Sequence, residues 1–153
     1  MFVVDASVYI ADVRPSEPYH PDARAFLDHL RRNGEPAYAP ITALAEVAGG
    51  ISRGTGRPGL TRRLTSLLGR VPNFIFVPVD EILGQQAAEI AGAQQIRGCD
   101  AIYVALAQQL GMTLITLDGE QRQRVPVTVI AQTPGVALAA IASRPTGGGL
   151  SGC

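Results

Sequence analysis

An α/β fold, with helices on both faces of a central and mostly parallel sheet, is what this sequence predicts. Three observations point there. Short apolar runs rich in β-branched residues (FVV, AYAP, NFIFVPV, MTLITLD, VTVI) alternate with longer segments of helical period. The opening FVV is apolar at successive positions, as strands covered on both faces are. The 153 residues contain no internal repeat and suit one domain with a full hydrophobic core.

In order, FVVDASVYI opens with a strand closing at Asp5. PSEPYHP is a proline-rich turn, and DARAFLDHLRRNG a helix with Ala25, Phe26, Leu27 and Leu30 inward and Gly34 as its stop. AYAP is a short strand. ITALAEVAGGISRG is a helix weakened near its end by Gly49 and Gly50. LTRRLTSLLGRV is a short helix and NFIFVPV a strand. DEILGQQAAEIAGAQQIRG is a long helix whose first-turn acids suit its dipole. DAIYVALAQQLG, apolar until its last turn, is a central buried helix. MTLITLD and VTVI are further strands, and PGVALAAIA closes the domain at residue 142. Residues 143–153, SRPTGGGLSGC, have the composition of a disordered tail.

Composition excludes several functions. Thirteen acidic and thirteen basic residues leave no net charge, against a protein that coats nucleic acid through a uniformly basic surface. Every basic residue is arginine. Without lysine there is no lysine-dependent phosphate loop, no Schiff-base chemistry, and no phospho-acceptor receiver site of the kind that needs a late-strand lysine. Cys99 and Cys153 form neither a zinc spacing nor a disulfide framework, which suits a reducing cytoplasm. His20 and His29 lie in no metal-ligand spacing. The sequence reads with no signal peptide and no membrane span.

The chemistry-bearing residues are carboxylates. In open parallel sheets ligands bind beyond the carboxyl ends of strands, where Asp5 and Asp118 fall. Asp100 stands at the start of the apolar helix, and Glu46 inside an otherwise uncharged one. Each has a structural reading as well: Asp5 and Asp100 as helix caps, Asp118 before Gly119 as a turn residue, Glu46 as an exposed helix position. Together they form a set whose mutual repulsion a divalent cation relieves. An all-carboxylate set takes Mg²⁺ or Mn²⁺, with coordinated water able to attack a phosphodiester, and disfavours zinc.

VVDASV, ALAEVAGG, CDAIYVALA and ITLD resemble, in order, the four acidic motifs of PIN-domain nucleases, over Val3 to about Ile130. CDAIYVALA with TLITLD is the most specific part. The resemblance implies a three-layer α/β/α PIN-like domain over residues 1–142. It carries Asp5, Glu46, Asp100 and Asp118 over as catalytic residues, with Asp5, Asp100 and Asp118 on the metal. Ser7 and Thr116 stand at the supporting hydroxyl positions. One departure is GEQRQR after Asp118, where the family often has a hydrophobic residue; Glu120 reads as a solvated helix-start residue. The implied activity is a Mg²⁺- or Mn²⁺-dependent endoribonuclease, resembling the VapC-type toxins of toxin–antitoxin pairs. Such toxins are cytoplasmic, usually homodimeric and silenced by a cognate antitoxin. A free-standing RNA-processing nuclease and a catalytically silent RNA-binding or assembly module remain alternatives.

Between Val47 and Val79 lie five arginines (Arg53, Arg57, Arg62, Arg63 and Arg70) and no acid. This is a candidate phosphate footprint, suited to the bidentate guanidinium, or an ordinary solvated face. Arg97, three residues before Asp100, is a further candidate for the scissile phosphate or a helix-dipole partner. Few aromatics are present to stack bases. Tyr103, one turn after Asp100, reads as a core tyrosine, and Cys99 as a small buried residue.

Overall fold

The computed structural model describes residues 1–143, so all but Ser143 of the expected tail lies outside the described residues. The chain runs β1 (Phe2–Val4), α1 (Ala6–Val13), α2 (His20–Asn33), β2 (Ala37–Pro40), α3 (Ala43–Thr55), α4 (Pro58–Leu68) and β3 (Phe74–Val77). It continues as α5 (Glu81–Gln94), α6 (Gly98–Leu110), β4 (Thr113–Ile115), α7 (Gly119–Arg124), β5 (Ala131–Gln132) and α8 (Pro134–Ala142). The sheet order is β3-β2-β1-β4-β5, and every pair is parallel. β1 is central. From it the chain winds outward through β2 and β3, then crosses back by α5 and α6 to place β4 on the other side. The order therefore reverses between β1 and β4, opening a crevice at their carboxyl ends.

Helices cover both faces in a three-layer α/β/α sandwich. α6 packs on β1, β2 and β4 with α5 beside it, while α1 packs on α2 and α3, with α8 on α2 and α4 on α3. The buried side chains make one core: Val3 and Val4 from β1, Phe26, Leu27 and Leu30 from α2, Tyr103 and Leu106 from α6, Leu114 and Ile115 from β4. Gly34 ends α2 in the left-handed conformation (φ 63°), as its lack of a Cβ allows. Gly50, expected to weaken α3, instead lets α3 and α1 approach. A Cβ there would meet Ile10 Cδ1 at 2.3 Å, and the helix runs through to Thr55.

The opening strand closes before Asp5, as expected, and Asp5 caps α1 by accepting from the Ser7 N–H at 2.9 Å. Three local expectations are corrected. On α2 the buried alanine is Ala23, while Ala25 is exposed. α6 starts at Gly98, which puts Asp100 inside its first turn rather than at its cap. The last strand is not VTVI but Ala131–Gln132. Val127 is fully exposed, Val129 N–H bonds Pro126 in a turn, and only from Ile130 onward does the backbone meet β4.

Candidate active site

The crevice between β1 and β4 is a cleft of about 430 Å³ whose lining includes Asp5, Glu46, Asp100 and Asp118, along with Ser7, Arg53 and Arg97. Four different elements deliver the acids. Asp5 ends β1, and its N–H donates to Ile115 of β4 at 2.9 Å. Asp118 follows β4 and caps α7, its Oδ1 accepting from the Glu120 and Gln121 N–H groups at 2.8 and 3.1 Å. Glu46 lies in the first turn of α3 and Asp100 in the first turn of α6.

The hydroxyls hold backbone as much as carboxylate. Ser7 Oγ accepts from Leu117 N–H at 3.1 Å, tying α1 to the β4 end. Thr116 Oγ1, fully buried, accepts from Asp118 N–H at 3.1 Å. Tyr103 is in the core, as expected, yet its hydroxyl also donates to Glu46 Oε1 at 3.2 Å. Gln121 escaped the sequence reading: it is buried, and its Nε2 donates to the Asp100 carbonyl at 3.1 Å, locking α7 against α6. Its only sequence signal is its place three residues after a capping aspartate. Cys99 is exposed on the cleft, correcting the expectation of a buried residue. Glu120 is exposed and pairs with Arg124 at 3.1 Å.

Electrostatics set the site apart. Burial raises the Asp5 carboxyl; hydrogen bonds from Ser7 pull it down, and the charges of Asp100 and Asp118 push it up again. Glu46 is raised by burial and then by Asp5, against the Tyr103 hydrogen bond. Burial raises the Tyr103 hydroxyl as well, so it stays a donor. The nearest compensation is Arg97, whose Nε donates to Asp100 Oδ2 at 2.7 Å and whose Nη2 donates to Asp118 Oδ2 at 2.6 Å. Those contacts with Asp100, first among the causes, raise the guanidinium further.

Of the arginine candidates, Arg53 and Arg97 line this cleft. Arg57, Arg62 and Arg63 are exposed elsewhere, Arg62 and Arg63 on the outer side of α4. Four carboxylates against two arginines form an all-oxygen donor set with surplus negative charge, the chemistry that a hard divalent cation fits. Among the described residues no three His, Cys, Asp or Glu side chains are drawn together as a preformed cage; Arg97 bridges two of the acids instead.

A parallel sheet with an acid-lined crevice at its switch point defines a class of α/β proteins that act at strand ends. The chain belongs to the PIN-domain family, whose profile matches residues 2–125. Among solved structures it is similar to VapC20 of Mycobacterium tuberculosis, described as a sarcin–ricin loop cleaving toxin. That match has TM-score 0.68 and 18% identity, covering 85% of this chain and 99% of that one. FitAcB from Neisseria gonorrhoeae matches at TM-score 0.66 and 23% identity, over 88% and 98% of the two chains. A toxin–antitoxin complex from Klebsiella pneumoniae matches at 0.63 and 18%, again over 88% and 98%. Among curated proteins none matches.

Proposed function

We propose that this protein is a Mg²⁺- or Mn²⁺-dependent endoribonuclease, the toxin of a type II toxin–antitoxin pair. The observation that carries the reading is the convergence of Asp5, Glu46, Asp100 and Asp118, from four elements, on one cleft of a PIN-domain chain. The similarity to a toxin described as cleaving an RNA loop and to a toxin–antitoxin complex supports it.

Asp5, Asp100 and Asp118 would hold the cation, which when bound polarises a phosphoryl oxygen and offsets charge developing in in-line displacement. Glu46 binds it too or takes the proton of the attacking water. Burial and the neighbouring Asp5 raise its carboxyl, which makes it a stronger base, and Tyr103 fixes its orientation. Ser7 and Thr116 keep the two strand ends, and hence Asp5 and Asp118, in register. Arg53 and Arg97 offer guanidinium groups to the RNA backbone. The catalytic domain spans residues 1–142. The protein works in the cytoplasm as a homodimer, restrained by a cognate antitoxin. Among the described residues no helix is long and apolar enough to cross a membrane.

Purified protein freed of any antitoxin is incubated with mixed tRNA and rRNA, with and without Mg²⁺ or Mn²⁺, beside Asp5→Asn and Asp100→Asn. Cleavage that needs the metal and vanishes in both variants is the expected result. A folded protein that neither cleaves nor binds metal would overturn the enzyme reading and leave a binding module. Co-expression with the product of an adjacent small gene should relieve growth arrest; arrest that persists beside every neighbouring gene counts against the toxin assignment.

A further inference from the structure

The acid cleft already contains a cation of its own. Arg97 spans Asp100 in α6 and Asp118, the cap of α7, by taking one oxygen, Oδ2, from each. Nothing else anchors it: the side chain is 73% exposed and those two carboxylates are its only ion-pair partners among the described residues. The other oxygen of Asp118 is engaged separately, as the cap of α7. Asp100 is held through its carbonyl by Gln121, not through Arg97. Withdrawing Arg97 thus leaves the helices and the positions of both acids supported.

We propose that Arg97 is a displaceable counter-ion: it bridges Asp100 and Asp118 in the metal-free protein and leaves them when a divalent cation takes the same oxygens. The inference rests on the metal-dependent reading above. Two positive charges cannot share the Oδ2 pair, because at contact distance in a partly desolvated cleft their repulsion far exceeds what exposed ion pairs return. Once displaced, the guanidinium stays tethered three residues before Asp100, at the rim where a phosphate would arrive. Cation entry therefore frees an anion-binding group that was masked before, so metal and phosphate bind in a coupled fashion.

The test is Mn²⁺ affinity, read by electron paramagnetic resonance on the full chain with no RNA present. Wild type is compared with Arg97→Ala and Arg97→Lys. Arg53→Ala removes the same charge from the same cleft without breaking a bridge, and melting curves check that each variant folds. Loss of the competing bridge should tighten Mn²⁺ binding about tenfold in Arg97→Ala, while Arg53→Ala gains about twofold or less from the general field. Arg97→Lys, which cannot span two carboxylates with a planar fork, should fall between wild type and Arg97→Ala. In wild type the Arg97 Nε–H signal, assigned by its loss in Arg97→Ala, should shift as Mg²⁺ is added. Equal affinities in Arg97→Ala and Arg53→Ala, or an Arg97 signal unmoved by saturating Mg²⁺, overturn the proposal while leaving metal binding intact. No Mn²⁺ binding in any variant overturns the metal-dependent reading and this inference with it.

Discussion

Helix α1 is flanked at its start by the buried Asp5 and holds the buried Asp12 near its end, and the two could hardly be treated more differently. Asp12, 3% exposed near the end of the helix, accepts from Arg24 at 3.1 Å and from Arg31 at 2.6 Å. Arg31 is itself fixed by Asp28 at 2.8 Å and lies 5.5 Å from the Phe74 ring centre. Asp5, 6% exposed at the other end, has no arginine within ion-pair distance among the described residues, and its neighbours Asp100 and Asp118 oppose its charge. One site is neutralised from within and joins α1 to α2. The other carries a deficit that no group among the described residues corrects. Burial alone does not mark a functional acid; burial without a paired cation, beside like charges, does.

Activity separates the two sites most sharply. Replacing Asp5 by asparagine should lower metal-dependent cleavage by about 100-fold or more, equivalent to about 3 kcal/mol of transition-state stabilisation. Asp12→Ala should leave cleavage per folded molecule unchanged. Single-turnover rates normalised to folded protein distinguish the outcomes, and equal losses in both variants would erase the contrast.

Stability reverses the order. Asp12→Ala takes from Arg24 and Arg31 their buried partner and should cost about 2 kcal/mol, below the full value for a buried pair because both arginines are partly solvated and keep Asp28. For a domain of this size that lowers Tm by about 6 °C. Calorimetry in the absence of metal decides it.

A smaller effect has the opposite sign. Asp5 has its folded carboxyl raised above the unfolded value, so it favours folding below the unfolded pKa, and that contribution is lost as pH rises through the folded one. Near neutrality, above the unfolded value, Asp5 therefore destabilises the metal-free protein. Asp5→Asn, which keeps the oxygen that caps α1, should raise Tm at pH 7 by about 3 °C, or about 1 kcal/mol. The gain should shrink as pH falls through the raised pKa and disappear when saturating Mg²⁺ supplies the missing charge to wild type. A lower Tm at pH 7 would mean that Asp5 is satisfied within the chain.

The finest distinction lies in Tyr103→Phe. Removing the hydroxyl takes away a hydrogen bond that lowers the Glu46 carboxyl, so its pKa should rise further. The acid limb of the pH–rate profile should move to higher pH with little change at the plateau, and an unmoved limb would remove Glu46 from the proton transfer.

Much of this was legible in the chain. β1 and β4 are apolar runs that end in acids, and a parallel sheet places such ends together, so Asp5 and Asp118 could be paired before any coordinates. The PIN-like three-layer sandwich followed from the alternation of strands and helices and from the acidic motifs, and both the sheet and the family profile bear it out. What escaped depends on tertiary contacts. The β-branched run VTVI carries strand propensity, yet the ladder is set by bonds to Ile130 and Gln132, which push the strand past it. Gln121, and Arg97 in its contact with Asp118 alone, meet their partners across 21 residues, where no local period reaches. The arginine-rich stretch was uniform in sequence, but the turn from α3 into α4 leaves Arg53 at the cleft and carries Arg62 and Arg63 away.

The latch between Ser7 and Leu117 spans 110 residues, and the four acids are spread over nearly the same length. During synthesis the first acid is made long before the last and waits for it. A chain interrupted anywhere before Asp118 lacks part of the carboxylate set, however well its earlier helices form. On the function proposed above, a product truncated before Asp118 is thus inert, and the capacity to cleave RNA arrives in a single step with the last acid.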